Sequence, residues 1–119
     1  MKQYVISLAL LIAASVALPT SHANAQTQAE MNRQAAKDFE KADAELNSTY
    51  AALMAKLPDA EGKEKLKESQ RGWLAFRDAE AAFAADQARG GSMAPTIRYE
   101  VMAELTQQRI KQLKARLTD

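Results

Sequence analysis

The chain has 119 residues, with 16 Lys and Arg against 15 Asp and Glu, one histidine and no cysteine. This length suits a single domain, and the lack of cysteine excludes disulfides, thiol chemistry and zinc sites that need thiolate ligands. The near-neutral charge, with no basic block, argues against nucleic acid or an anionic membrane as the main partner.

The first residues have the pattern of a secretory signal peptide. Lys2 precedes a mostly apolar run from Tyr4 to Leu18, and the sequence Ala-Asn-Ala at 23–25 is a small-x-small cleavage signal. The apolar run is too short to span a membrane. We therefore predict a signal peptide over residues 1–25 and a domain over residues 26–119.

Removal of this signal would leave 94 residues with 15 basic and 15 acidic side chains, because the signal contains Lys2 and no acidic residue. It would also remove His22, the only histidine. No histidine base or cysteine nucleophile then remains, so we expect a non-enzyme with no catalytic residue, cofactor or metal site. We expect a periplasmic or secreted location, without a membrane anchor after cleavage.

A first helix is predicted over residues 29–57. Its apolar residues follow one another at steps of three or four, which is the spacing of one helical face. Pro58 disfavours helical backbone at the residue before it and ends the pattern. The stripe contains Met31, Ala35, Phe39, Ala42, Leu46, Tyr50, Leu53 and Leu57.

A second helix is predicted over residues 60–88. Asp59 is the candidate N-cap, and Gly90-Gly91 ends the helix because glycine readily adopts positive φ. Trp73 is expected to anchor the core. The stripe that we expect to face the core contains Leu66, Trp73, Phe76 and Phe83.

A third helix is predicted over residues 94–117. Ser92 is the candidate cap, and Pro95 falls in the first turn, where its missing N–H does little harm. Its broad apolar face contains Ile97, Val101, Met102, Leu105, Ile110, Leu113 and Leu117.

These elements predict an all-α fold, an antiparallel up-down-up three-helix bundle, because short connections make consecutive helices antiparallel neighbours. Sustained steps of three and four could also indicate a dimeric coiled coil. Pro58, Gly62 and Gly90-Gly91 interrupt the heptads, which favours packing within one chain.

Polar residues interrupt the apolar stripes at about the same height on all three helices. We predict that they form a buried layer, in which Asp43 and Glu80 balance Arg77 and Arg109. One interpretation is that this layer fixes helix register; the alternative is a cationic pocket for a small carboxylate. The layer contains Asp43, Asn47, Tyr50, Gln70, Trp73, Arg77, Glu80, Thr106 and Arg109.

The link between the second and third helices is the first candidate for a binding surface. Gly90, Gly91, Ser92 and Met93 have the composition of a loop and include an exposed hydrophobe. Binding residues concentrate on such loops when a rigid scaffold positions them.

Five segments carry a resemblance to a known family. They are TQAEMN at 27–32, ADAELNSTY at 42–50, QRGWLAFRDAE at 70–80, GGS at 90–92 and LTQQR at 105–109. In this order they resemble the small secreted bacterial domains named after the lysozyme inhibitor LprI, many of which have no known function.

The resemblance implies a periplasmic helical domain whose partner is a protein, such as a lysozyme-like enzyme. It also implies cysteines near Gln34, Ala81 and Val101, where this chain has none. Stapling by disulfides is therefore impossible here, and all nine residues of the predicted polar layer lie within the matching segments.

Two other functions remain open. One is a periplasmic chaperone or adaptor, since Leu105-Thr106-Gln107-Gln108 resembles the Leu-Thr-x-x-Gln motif of helical chaperones, although Arg109 replaces the final Gln. The other, ranked last, is an enzyme that needs neither His nor Cys, such as a secreted chorismate mutase.

Overall fold

The structure, a computed structural model, describes the backbone of residues 20–119 and the side chains of residues 27–119. Three helices account for this part of the chain: α1 (Thr20–Lys56), α2 (Ala60–Asp86) and α3 (Ala94–Leu117). None of them is long and apolar enough to cross a membrane. Residues 1–19 of the predicted signal peptide lie outside the described residues, so the signal peptide stays a prediction.

The end of α1 follows the prediction, but its beginning does not. The helix ends at Lys56, two residues before Pro58, as expected from the restriction that proline places on its predecessor. It begins at Thr20 instead of residue 29. The apolar stripe does not extend to residues 20–28, so it did not predict a helix in this segment. The helix can nevertheless begin at Thr20, because no glycine or proline interrupts the chain between Pro19 and Pro58.

Asp59 is the N-cap of α2, as predicted. Its backbone is extended, with φ −137° and ψ 164°, and its Oδ1 accepts a hydrogen bond of 2.7 Å from the backbone N–H of Gly62. The helix ends at Asp86, two residues earlier than predicted. Gly90 follows at φ 78°, a conformation that favours glycine.

The predicted cap of α3 is wrong by one residue. Met93 occupies the N-cap position in helical backbone and makes no side-chain capping bond, so Ser92 does not cap the helix. The reason is the preceding turn, in which the N–H of Ala94 already donates to the carbonyl of Gly91. Pro95 lies in the first turn, as expected.

The predicted three-helix bundle is confirmed. α3 packs closely against both α1 and α2. α1 and α3 run in the same direction, since Thr96 donates to Asn32 near one end of the pair and Lys56 donates to the carbonyl of Leu117 near the other. α2 runs in the opposite direction between its two short connections.

The core lies between the faces predicted for α1 and α3. Its buried centre consists of Leu46, Leu53, Ile110 and Leu113, and Tyr50, Leu66, Trp73 and Leu117 pack against it. Elsewhere, buried alanines keep the helices close, among them Ala42 and Ala81, which have no exposed surface.

The stripe predicted for α2 is wrong in its second half. Phe76 is 53% exposed and Phe83 is 69% exposed. The buried row passes instead through Arg77, Ala81 and Ala85. The buried residues are four apart, and four residues make slightly more than one helical turn. The row therefore winds about 40° around the helix at each step and leaves both phenylalanines on the surface.

Candidate functional site

Arg77 of α2 is the centre of the described polar contacts. Its side chain is 8% exposed, and its Nη1 lies 3.2 Å from Oδ1 of Asp43 on α1 and 3.5 Å from Oγ1 of Thr106 on α3. Its Nε donates to Oδ1 of Asp78 at 3.0 Å. One guanidinium therefore makes polar contacts to both other helices.

Aromatic rings enclose this guanidinium. The Cζ atom of Arg77 lies 5.0 Å from the ring centre of Phe39 and 5.3 Å from that of Trp73. Arg109 approaches Trp73 as well, at 5.8 Å. A cation over an aromatic face contributes about 0.5–2 kcal/mol, more when water is excluded. We call Trp73, Arg77 and Arg109 the arginine–tryptophan cluster.

Arg109 is held by neutral groups. Its Nε donates to Oε1 of Gln70 at 3.0 Å, its Nη2 to Oγ of Ser69 at 3.0 Å, and its Nη1 to Oε1 of Gln112 at 3.3 Å. Burial, followed by the positive charge of Arg116, lowers the pKa of the Arg109 guanidinium. The predicted charge balance is therefore wrong, because no carboxylate of residues 27–119 pairs with Arg109.

Two more predicted members of the layer lie elsewhere. Glu80 is exposed and makes no hydrogen bond or ion pair to any described residue. It lies outside because the buried row of α2 winds away from it. Asn47 is exposed and, with Tyr50, lines a shallow groove of about 250 Å³ between α1 and α2.

The sequence reasoning missed several partners of the two arginines. Phe39 was assigned to the core only, and Asp78, Ser69 and Gln112 were not singled out. Phe39 could have been found, because it lies one helical turn before Asp43, so a cation that reaches Asp43 also passes this ring.

The link that was predicted as a binding surface is exposed throughout. Gly90, Gly91, Ser92 and Met93 all lie on the surface, with the Met93 side chain 37% exposed. A hydrogen bond of 2.8 Å from the N–H of Gly91 to the carbonyl of Ala88 closes the turn. Before it, Arg89 forms a bidentate pair with Asp86, and this hydrogen bonding raises the pKa of Arg89.

No group of three or more carboxylates among the described residues is arranged to hold a metal ion.

Fold and site together define a small all-α domain whose buried arginine connects three helices. The family model described as "Lysozyme inhibitor LprI" matches residues 20–113, and the chain belongs to this family.

A similar relative is an uncharacterized protein of Rhizobium meliloti (strain 1021). The two chains are 36% identical over an aligned region of 102 residues, and the match covers 76% of this chain and 73% of the relative. No solved structure matches the chain.

Proposed function

We propose that the protein is a secreted or periplasmic binding domain, not an enzyme, and that it binds and inhibits a lysozyme-like enzyme that degrades cell walls. Membership of the LprI lysozyme-inhibitor family over residues 20–113 carries this proposal. The absence of cysteine means that packing and the arginine–tryptophan cluster, instead of disulfides, must hold the binding surface in shape.

The contact surface we propose has two adjoining parts. One is the link Gly90–Met93, as the sequence suggested. The other is the outer face of α2, where Phe76, Glu80 and Phe83 follow one another at steps of four and three and are all exposed. These residues share one helical face that leads towards the link.

The composition of this surface supports a protein partner. Large aromatic side chains dominate the energy of protein interfaces, and those of Phe76 and Phe83 are more than half exposed. Glu80 adds a carboxylate that no described residue neutralises. A partner with a basic, partly apolar surface fits this arrangement, and lysozymes that attack cell walls are commonly basic.

Clearing of a cell-wall suspension by lysozyme tests the proposal. The purified protein should slow clearing at a roughly stoichiometric ratio, and the double variant Phe76→Ser/Phe83→Ser should lose most of this effect. Arg98→Gln, which changes an exposed residue of α3, is the matched control and should inhibit like the unmodified protein. No inhibition by the unmodified protein at large excess would refute the proposal.

A chaperone is the second candidate, and the exposed phenylalanines favour it because chaperones present apolar surface to clients. Suppression of aggregation of unrelated denatured proteins distinguishes the two. A chaperone would protect several clients without slowing lysozyme, whereas an inhibitor would act on the enzyme alone.

A further inference from the structure

A groove of about 380 Å³ lies near the end of the bundle where α1 and α2 are connected. Leu53 and Leu113 form its buried floor, and the half-buried Leu57 and Leu66 form its apolar walls. This volume falls within the range of about 300–1,000 Å³ typical of small-molecule sites. The groove is at the opposite end of the bundle from the Gly90–Met93 link.

The polar residues that line this groove are mostly cationic. Arg109 and Arg116 of α3 both line it, seven residues or about 10 Å apart along the helix, and Lys65 of α2 is a third cation. Lys65 has a weak pair with Glu68 at 3.8 Å. Neither arginine has a carboxylate partner in the described part of the chain, so the groove carries uncompensated positive charge.

Arg109 is already held in position. The contacts with Ser69 and Gln70 orient its guanidinium, and the ring of Trp73 lies behind it. A guanidinium fixed in this way needs little reorganisation to bind an anion, and two of its five N–H groups are not used by Gln70, Ser69 and Gln112. The positive charge of Arg116, which lines the same groove, further favours binding of an anion.

We propose that this groove binds a single-chain anionic amphiphile, with the headgroup on Arg109 and Arg116 and the alkyl chain on the leucine floor. The alkyl chain favours binding by leaving water, and the headgroup favours it by pairing with the guanidiniums, so both halves of the ligand contribute to affinity. Carboxylate and phosphate headgroups have the same chemistry towards guanidinium, and the test separates them. This site does not depend on the proposed inhibition of lysozyme.

Titration calorimetry of the purified protein with decanoate, decyl phosphate, decanol and acetate tests the proposal. Saturable one-to-one binding of either long-chain anion, at least about tenfold tighter than that of decanol or acetate, is expected. Saturable binding of decanoate alone would indicate that the ligand is a fatty carboxylate, and saturable binding of decyl phosphate alone would indicate a phospholipid-like ligand. Equal binding of decanol, or no saturable binding of either long-chain anion, would overturn the proposal.

Three variants locate the binding. Arg109→Gln and Arg116→Gln should each weaken binding of the preferred anion, the former by about tenfold, because a charge-assisted hydrogen bond is lost. Lys111→Gln removes the same charge from an exposed position of α3 outside the groove and should bind normally. Arg116 has no partner among residues 27–119, so its replacement should leave folding intact. Equal weakening in all three variants would show non-specific attraction and refute the site.

Discussion

The guanidinium of Arg77 on α2 lies 3.2 Å from the carboxylate of Asp43 on α1. The same nitrogen approaches Thr106 of α3, whose side chain is fully buried. These contacts are satisfied together only in one longitudinal register of the three helices. This relationship supports the interpretation of the polar residues as a register device, and mutation can test it.

Arg77→Ala should lower the free energy of unfolding by about 2–3 kcal/mol. The loss should be smaller than the roughly 3–5 kcal/mol expected for a fully buried pair, because Asp43 keeps 38% of its side-chain surface exposed. Urea unfolding measures the effect, with Arg98→Ala as the control that should stay within about 0.5 kcal/mol of the unmodified protein. Unchanged stability together with loss of a carboxylate ligand would favour the pocket interpretation instead.

Double-mutant cycles should rank the strengths of the two ion pairs that Arg77 forms, one with Asp43 and one with Asp78. Coupling between Arg77 and Asp43 should be about 1–2 kcal/mol, because this pair connects two helices and is partly shielded from water. Coupling to Asp78 should stay below about 1 kcal/mol, since that carboxylate is 57% exposed and adjacent in sequence. A larger coupling to Asp78 would contradict the role of Asp43 in fixing register.

Phe76→Ser and Phe83→Ser should each change stability by less than about 0.5 kcal/mol, because both rings are mostly in water. Trp73→Ala should instead lower it by about 3 kcal/mol or more, since this ring packs on the core and contacts two guanidiniums. Thermal or urea unfolding of the three variants distinguishes the outcomes. Strong destabilisation by Phe83→Ser would mean that this ring belongs to the core.

Gly90→Ala should destabilise the fold by about 1–2 kcal/mol through its backbone alone. The residue has φ 78°, and an added Cβ would meet no atom within 4 Å apart from those of its own residue and its two chain neighbours, so the cost comes from the local backbone. Gly90→Asn should recover part of the loss, because asparagine tolerates this conformation better than alanine. Urea unfolding measures these differences. If Gly90→Ala were as stable as the unmodified protein, the link would have relaxed to another turn.

Features with a local chemical signal were predictable from the sequence. Asp59 caps α2 and Pro58 ends α1 through interactions within a few residues, and the even spacing of the α1 stripe identified its buried face. The contact between Asp43 and Arg77 was also accessible, because helix lengths set the approximate height of each residue.

Features that depend on how one helix winds past another were not predictable. Glu80 and Phe83 have the right spacing to follow Trp73, but the buried row of α2 turns away from both. The partners of Arg109 were missed for a different reason. Its long side chain can reach several neighbours, and within residues 27–119 it bonds to the neutral Gln70 and Ser69 and to no carboxylate.

The position of α3 as the shared packing partner of α1 and α2 has a consequence for the order of events during synthesis. α3 leaves the ribosome after α1 and α2, and its Ile110 and Leu113 provide half of the buried centre of the core. A nascent chain that ends before them has no complete core and cannot reach its stable fold. Folding therefore waits until α3 has been made, because until then α1 and α2 lack the helix against which both of them pack.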